Sequence, residues 1–91
     1  MVELASIAKK WSKEILLTLN EDSKGFNEIG KEVSTNDHKI SSRTLADRLT
    51  ELEKEGLIVR MITKTRPPRT VYLITRRGRE AIRLTEEFKN L

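Results

Sequence analysis

Two short runs rich in β-branched residues lie late in the chain and constrain its fold more than any other feature. The first run is LIVRMITKT at residues 57–65, and the second is TVYLIT at residues 70–75. Such runs are typical of strands, and the short loop between them predicts a β-hairpin. Pro67 and Pro68 lie in that loop, where their fixed φ angles should stiffen the tip and hold it extended.

The part of the chain before the hairpin has the apolar spacing of helices. A first helix is predicted over residues 2–20, and its apolar face is formed by Leu4, Ile7, Ala8, Trp11, Ile15, Leu16 and Leu19. On this face Trp11 is assigned to the core. The turn-forming segment NEDSKG should end the helix. Phe26, Ile29 and Val33 then predict a short second helix with Asn27 as its N-cap.

The third helix has the clearest signals and is predicted over about residues 42–55. Ser41 or Ser42 suits the N-cap, and Gly56 follows the helix end, where a left-handed residue is favoured. Its buried stripe is predicted to consist of Leu45, Ala46, Leu49 and Leu52.

A last helix follows the hairpin, with Thr75 as its cap and an apolar side made by Ala81, Ile82, Leu84 and Phe88. The order helix, helix, helix, strand, strand, helix predicts an α+β, mostly helical fold. Three helices form a base, the two-stranded hairpin is a wing, and a C-terminal helix follows. This arrangement is a winged helix-turn-helix, which we expect to form a single domain over residues 1–91.

The formal net charge of +4 is distributed unevenly. Between Gly56 and Arg79 the chain has seven basic residues and no acidic residue, whereas the rest has eleven basic and fourteen acidic residues. A local excess of positive charge on an otherwise slightly acidic chain predicts a polyanionic partner. In this order of elements, the expected partner is double-stranded DNA.

The third helix is expected to enter the major groove as the recognition helix. With its leucines inward, at 100° per residue the opposite side carries Arg43, Asp47, Thr50 and Lys54. Arg43 is the first candidate for a base contact, because its fork can bind guanine O6 and N7 together. Thr50 suits a thymine methyl group, and Asp47 suits either a cytosine amino group or an ion pair that positions Arg43. The N-terminus of a helix favours a phosphate. Three hydroxyl groups lie there, those of Ser41, Ser42 and Thr44.

The wing carries three cations, Lys64, Arg66 and Arg69, on its proline-bearing loop. We expect these side chains to contact phosphates or an adjacent minor groove, where narrow grooves attract arginine. A structural alternative is that charge and proline protect an edge strand from aggregation. Three cations with no acidic neighbour in the sequence exceed that need.

Other classes of function find no support in the sequence. There are no cysteines, and His38 has no second histidine as a co-ligand, so neither a metal site nor a cofactor is expected. No glycine-rich phosphate loop and no nucleophile–base spacing indicates an enzyme. The apolar runs are far shorter than the roughly 20 residues that span a bilayer, and no signal peptide is apparent, so we expect a cytoplasmic protein without a membrane partner.

The sequence resembles the HxlR-type transcriptional regulators, a winged-helix family within the MarR-like group. The resemblance is carried by KW at residues 10–11, GFNEI at 25–29, ISSRTLADRLTELEKEGLIVR at 40–60 and PPRTVYLIT with Gly78. It implies a homodimer, built through the first and last helices, that binds a two-fold related site in duplex DNA. The cysteine that many members carry near the N-terminus is absent here, so thiol-based sensing is not implied.

The predicted function is therefore sequence-specific binding of duplex DNA by a transcriptional regulator. Two alternatives stay open at this point: an architectural DNA-binding protein with little sequence preference, and a winged helix that serves as a protein-interaction module. The sequence assigns no small-molecule effector.

Overall fold

The computed structural model describes the backbone over residues 9–89 and the side chains over residues 9–86. Its elements follow the predicted order, and their bounds are α1 Ser12–Glu21, α2 Phe26–Val33, α3 Ser42–Lys54, β1 Ile58–Ile62, β2 Thr70–Ile74 and α4 Arg76–Lys89. The two strands form one antiparallel sheet in which Ile58 pairs with Ile74 and Ile62 pairs with Thr70. The predicted fold class, a mostly helical α+β winged helix-turn-helix, is confirmed.

The first helix begins later than predicted. Helix α1 starts at Ser12, because Trp11 has a left-handed backbone with a φ of 79° and so stands at the N-cap. The indole is half-buried and packs against the edge of the core, with Lys10 Nζ 5.4 Å from the ring centroid. The predicted helical residues 2–8 lie outside the described part of the chain. Trp11 is therefore the N-cap residue of α1 and not a member of its apolar face.

The second helix is capped by Gly25 and not by Asn27, which is the second residue of the helix. The reason is the Glu28 side chain, which reaches back and accepts a hydrogen bond of 3.1 Å from the Gly25 backbone N–H. This contact satisfies a donor that the helix itself cannot pair. Asn27 is exposed on the helix surface.

The third helix follows its predicted signals with one exception. Ser41 is the N-cap, since its side chain accepts from the Thr44 N–H at 3.1 Å, and Gly56 follows the helix with a φ of 76°. Ala46 is exposed, so its assignment to the buried stripe is wrong. It follows Leu45 by one residue, and a rotation of 100° carries it off the buried face.

The core joins all four helices to the base of the hairpin. Its buried side chains come from the four helices, from both strands and from the residue just before β1: Ile15, Leu16, Leu19, Ile29, Val33, Leu45, Leu49, Leu52, Leu57, Ile58, Ile74, Ala81 and Ile82. Thr75 caps α4 as predicted, accepting from the Gly78 N–H at 3.1 Å and donating to the Gly56 carbonyl at 2.6 Å. The capping threonine thus also ties the start of α4 to the end of α3.

Both strands of the wing contact the helical base, and Arg60 Nε of β1 lies 3.8 Å from Glu53 Oε2 of α3. Lys24, just before α2, pairs with Tyr72 of β2 through two backbone hydrogen bonds of 3.2 and 2.8 Å. Strand β1 forms the free edge, and Val59, Met61 and Ile62 are exposed there. The described part of the chain contains no candidate for a membrane-spanning helix.

Candidate nucleic-acid interface

The outward side of α3 presents the predicted recognition residues to solvent. Arg43, Asp47, Thr50 and Lys54 are all exposed, while Leu45, Leu49 and Leu52 on the opposite side are buried. Ala46 belongs to this exposed side as well, which places a small side chain between Arg43 and Thr50. A methyl group there leaves the neighbouring long side chains free to reach a partner.

The predicted ion pair between Arg43 and Asp47 does not form. Among the described residues neither side chain has an oppositely charged partner within 4.0 Å, and the same holds for Lys54. On the flank of the same helix, by contrast, Arg48 pairs with Glu51 at 2.6 Å. The charged groups on the outward side of α3 are therefore available for an external partner.

The hydroxyl groups at the start of α3 have different roles. The Ser41 side chain is engaged in capping, and its Oγ also lies 2.9 Å from the Thr44 hydroxyl oxygen. Ser42 occupies the first helical position and is exposed. Of the three hydroxyls predicted to face a phosphate, that of Ser42 is therefore the most available.

The loop of the wing is closed by Thr63 and Arg69 at its base. The Thr63 N–H donates to the Arg69 carbonyl at 2.8 Å, and the Arg69 N–H donates to the Thr63 hydroxyl at 3.0 Å. Residues 64–67 bend, so the tip is not the extended segment that was predicted.

The three wing cations divide into two kinds. Lys64 and Arg66 are exposed and, within the described residues, have no carboxylate within 4.0 Å. Arg69 instead pairs through its guanidinium with Glu28 of α2. The hydrogen bond from Gly25 and this arginine together lower the pKa of the Glu28 carboxyl group below its ordinary value. Glu28 is therefore a stable anion at the base of the wing.

A cleft of about 590 Å³, which was not predicted from the sequence, lies beside the recognition helix. It lies between α2, the connector and the start of α3, and its lining includes Lys31, Lys39 and Ser42 around a floor that contains Phe26 and Leu45. Both lysines are exposed. No sequence signal links them, because they belong to separate elements and only folding brings them to the same cleft.

No metal centre is apparent in the part of the chain that the structure describes. No group of three or more histidine, cysteine or acidic side chains is placed there to hold an ion. His38 is exposed in the connector, where its backbone pairs with Thr35.

Known proteins share this architecture and sequence pattern. An uncharacterised HTH-type transcriptional regulator of Methanothermobacter thermautotrophicus is 36% identical over 81 residues, which cover 89% of this chain and 59% of that protein. The HTH-type transcriptional regulator YodB of Bacillus subtilis is 31% identical over 72 residues, covering 79% of this chain and 61% of YodB. The chain thus spans about three fifths of the length of these two relatives.

Solved structures agree with the sequence comparison. The reduced form of YodB superposes with a TM-score of 0.83 at 26% identity, covering 96% of this chain and 81% of that one. A structure from Enterococcus faecalis V583, assigned to the MarR family of transcriptional regulators, gives a TM-score of 0.82 at 29% identity and covers 96% of this chain and 76% of that one. The profile of the HxlR-like helix-turn-helix family matches residues 6–91. By its sequence and by its fold, this chain belongs to the HxlR-like helix-turn-helix family.

Proposed function

We propose that this chain is the DNA-binding part of a transcriptional regulator and binds duplex DNA with sequence preference. Helix α3 enters the major groove, and the tip of the wing lies on the backbone or in the adjacent minor groove. The relatives named as HTH-type transcriptional regulators support this proposal. The protein acts by binding and not by catalysis.

One observation carries the proposal: the exposed cations on the outward side of the recognition helix and at the tip of the wing have no acidic partner among the described residues. Arg43, Lys54, Lys64 and Arg66 lack an acidic partner among the described residues, whereas Lys9, Lys13, Lys24 and Arg48 each have one. Unpaired exposed cations attract phosphates. Phosphate binding releases condensed counterions from the DNA, and this release favours association.

The residues have distinct roles in this proposal. Arg43 reads a base edge, with Asp47 and Thr50 as further candidates for direct readout in the major groove. Ser42 and Lys54 contact phosphates, and Lys31 and Lys39 add phosphate contacts from the cleft beside the helix. Ser41 and Thr44 contribute through the capped N-terminus of α3. At the wing, Lys64 and Arg66 supply affinity; Arg69 has a separate role.

We further propose a cytoplasmic homodimer. The family resemblance implies a dimer built through the first and last helices, and such a dimer presents two recognition helices to a two-fold related site. The exposed Leu17 on α1 supports an apolar contact at such an interface. A DNA partner supports the proposed cytoplasmic location.

The proposal is tested by fluorescence anisotropy with selected and random duplexes between about 50 and 200 mM salt. We expect the selected duplexes to bind about 10³-fold more tightly than random ones. Arg66→Ala should weaken binding to all sequences and reduce the slope of log affinity against log salt by about 0.9, the value for one phosphate contact. Arg43→Ala should instead reduce the preference for the selected sequence.

Two outcomes would contradict sequence-specific regulation. Equal binding of selected and random duplexes with a steep salt slope would identify an architectural protein. Binding no tighter than that of a charge-matched control protein would exclude DNA as the partner.

A protein-interaction module is a second candidate, favoured by the free edge of the wing. Val59, Met61 and Ile62 on β1 are 43, 53 and 70% exposed. Exposed apolar side chains on a strand with a free outer edge are suited to protein contacts. If this candidate is correct, Met61→Glu should abolish partner binding while Arg66→Ala leaves it unchanged.

A further inference from the structure

Arg69 differs from the other wing cations in both its backbone and its side chain. Its main chain closes the wing loop by exchanging hydrogen bonds with Thr63 at 2.8 and 3.0 Å. Its guanidinium leaves the loop and pairs with Glu28 in the first turn of α2. One residue therefore connects the base of the wing loop to a helix that shares the core with α3.

The attachment of the wing to α2 is otherwise limited. Besides the Arg69–Glu28 pair, the backbone bridge between Lys24 and Tyr72 joins the two parts near the middle of β2. The guanidinium lies over Gly25, where a Cβ would be only 2.9 Å from Arg69 Nη2. Lys64 and Arg66 lie beyond these contacts, at the unsupported end of the hairpin.

Glu28 is held in place by a second contact. Its carboxylate accepts the hydrogen bond of the Gly25 N–H at 3.1 Å, so the same side chain caps α2 and receives Arg69. A capped helix terminus is a rigid support, because its backbone donor is satisfied and its first turn is fixed. An arginine side chain that is paired with this carboxylate is held in a fixed position relative to α2.

We propose that Arg69 is a positioning residue: its ion pair with Glu28 fixes the wing against α2 and thereby sets where Lys64 and Arg66 lie relative to the recognition helix. This inference rests on the proposed DNA-binding function. It replaces the sequence-based expectation that Arg69 contacts DNA directly, since a guanidinium bound to a carboxylate presents less positive charge to a phosphate.

The two roles of Arg69 make opposite predictions for Glu28. If Arg69 contacted a phosphate, Glu28 would repel that phosphate, and removing its negative charge would tighten DNA binding. If the pair positions the wing, removing the charge on Glu28 loosens the wing and weakens DNA binding. The sign of the effect of Glu28→Gln therefore separates the two roles.

The experiment measures duplex affinity for Glu28→Gln, Arg69→Gln and the double variant Glu28→Gln/Arg69→Gln. Glutamine at position 28 can still accept the Gly25 N–H, so the helix cap is retained. The double variant has the net charge of the unmodified chain, so long-range attraction to DNA is matched. Glu21→Gln is the control, because it removes one negative charge from an exposed carboxylate at the end of α1.

We expect Glu28→Gln to bind duplex about threefold or more weakly, although it removes a negative charge. The double variant should bind no more weakly than Arg69→Gln alone, because two residues that act as a pair show non-additive effects. Glu28→Lys, which repels Arg69 and adds positive charge, should also weaken binding. Glu21→Gln should bind as tightly as the unmodified chain or slightly more tightly.

Hydrogen exchange on the free protein supplies an independent readout. In Glu28→Gln and in Arg69→Gln, the amides of Tyr72 and Thr63 should exchange faster than in the unmodified chain, while core amides such as that of Leu49 should not change. A general loss of stability would accelerate exchange throughout the chain.

The outcomes distinguish this inference from the proposed function. Tighter binding of Glu28→Gln and Glu28→Lys, or unchanged exchange at Tyr72 and Thr63, would overturn the positioning role while leaving DNA binding in place. If the unmodified chain does not bind duplex, or Arg66→Ala leaves its salt slope unchanged, the proposed function itself fails.

Discussion

At Gly78 the chain passes so close to its own backbone that no side chain fits. A Cβ there would overlap the Leu57 carbonyl oxygen and would lie 2.5 Å from Ile74 Cγ1. Gly78 is buried in the first turn of α4, and its N–H is bound by the capping Thr75. The residue therefore sets how closely the last helix approaches the base of the wing.

We expect Gly78→Ala to lower the free energy of unfolding by about 1–3 kcal/mol, because the backbone must shift to admit the methyl group. Urea denaturation followed by circular dichroism measures the change. Gly30→Ala is the matched control: its Cβ would lie 3.2 Å from Leu45 Cδ2, a side-chain atom that can move. If the two variants had equal free energies of unfolding, the close approach to the Leu57 carbonyl oxygen would not be the cause of the destabilisation.

At the scale of elements, α3 shows how adjacent and similar residues take different roles. Ser41 and Ser42 are equally suited to capping by residue type, but only the Ser41 side chain accepts the Thr44 N–H, at 3.1 Å. Ser42 is the first residue of the helix and is exposed. The N-cap is the residue at which the backbone changes from extended to helical. Two adjacent serines do not determine where that change occurs.

We expect Ser41→Ala to lower the free energy of unfolding by about 1 kcal/mol, the usual cost of losing an N-cap. Ser42→Ala should change stability by less than about 0.5 kcal/mol, as is usual for exposed positions. Thermal and urea denaturation of both variants measure the difference. If Ser42→Ala lost more stability than Ser41→Ala, Ser42 and not Ser41 would be the N-cap.

The predicted elements were largely correct because each had a local signal. The apolar spacing of α3, the β-branched runs of the wing and the caps Ser41 and Thr75 all act within one element. The prediction of one continuous helix over residues 2–20 was wrong, since the left-handed backbone of Trp11 interrupts it and α1 begins at Ser12. Asn27 was wrong as a cap, because Glu28 reaches back to Gly25 instead.

For the whole molecule, the proposed dimer requires exposed apolar side chains on its interface helices. Within the described residues the large exposed hydrophobic side chains are Leu17 on α1 and Val59, Met61 and Ile62 on β1. Of these described side chains, only Leu17 lies on a helix of the proposed interface. The apolar residues of β1 belong to the free edge of the wing.

We expect sedimentation equilibrium to give twice the chain mass of 10.5 kDa. Leu17→Glu should raise the dissociation constant of the dimer about tenfold or more, because it buries an unpaired carboxylate in the interface. Met61→Glu, a similar change on the wing, should leave the dimer intact. If Met61→Glu and not Leu17→Glu gives monomers, the copies associate through the wing edge.

By itself, the sequence determined the order of elements, the fold class, the family resemblance and the outward side of α3. These features depend on periodicity and on caps and turns, which act between residues a few positions apart. Only the tertiary structure decided which cations are free. Arg69 has no acidic neighbour in the sequence, but folding brings Glu28, 41 residues earlier, to its guanidinium. The same process gathers Lys31 and Lys39 beside Ser42. Ion pairs between distant segments depend on how elements pack, and no local pattern records that packing.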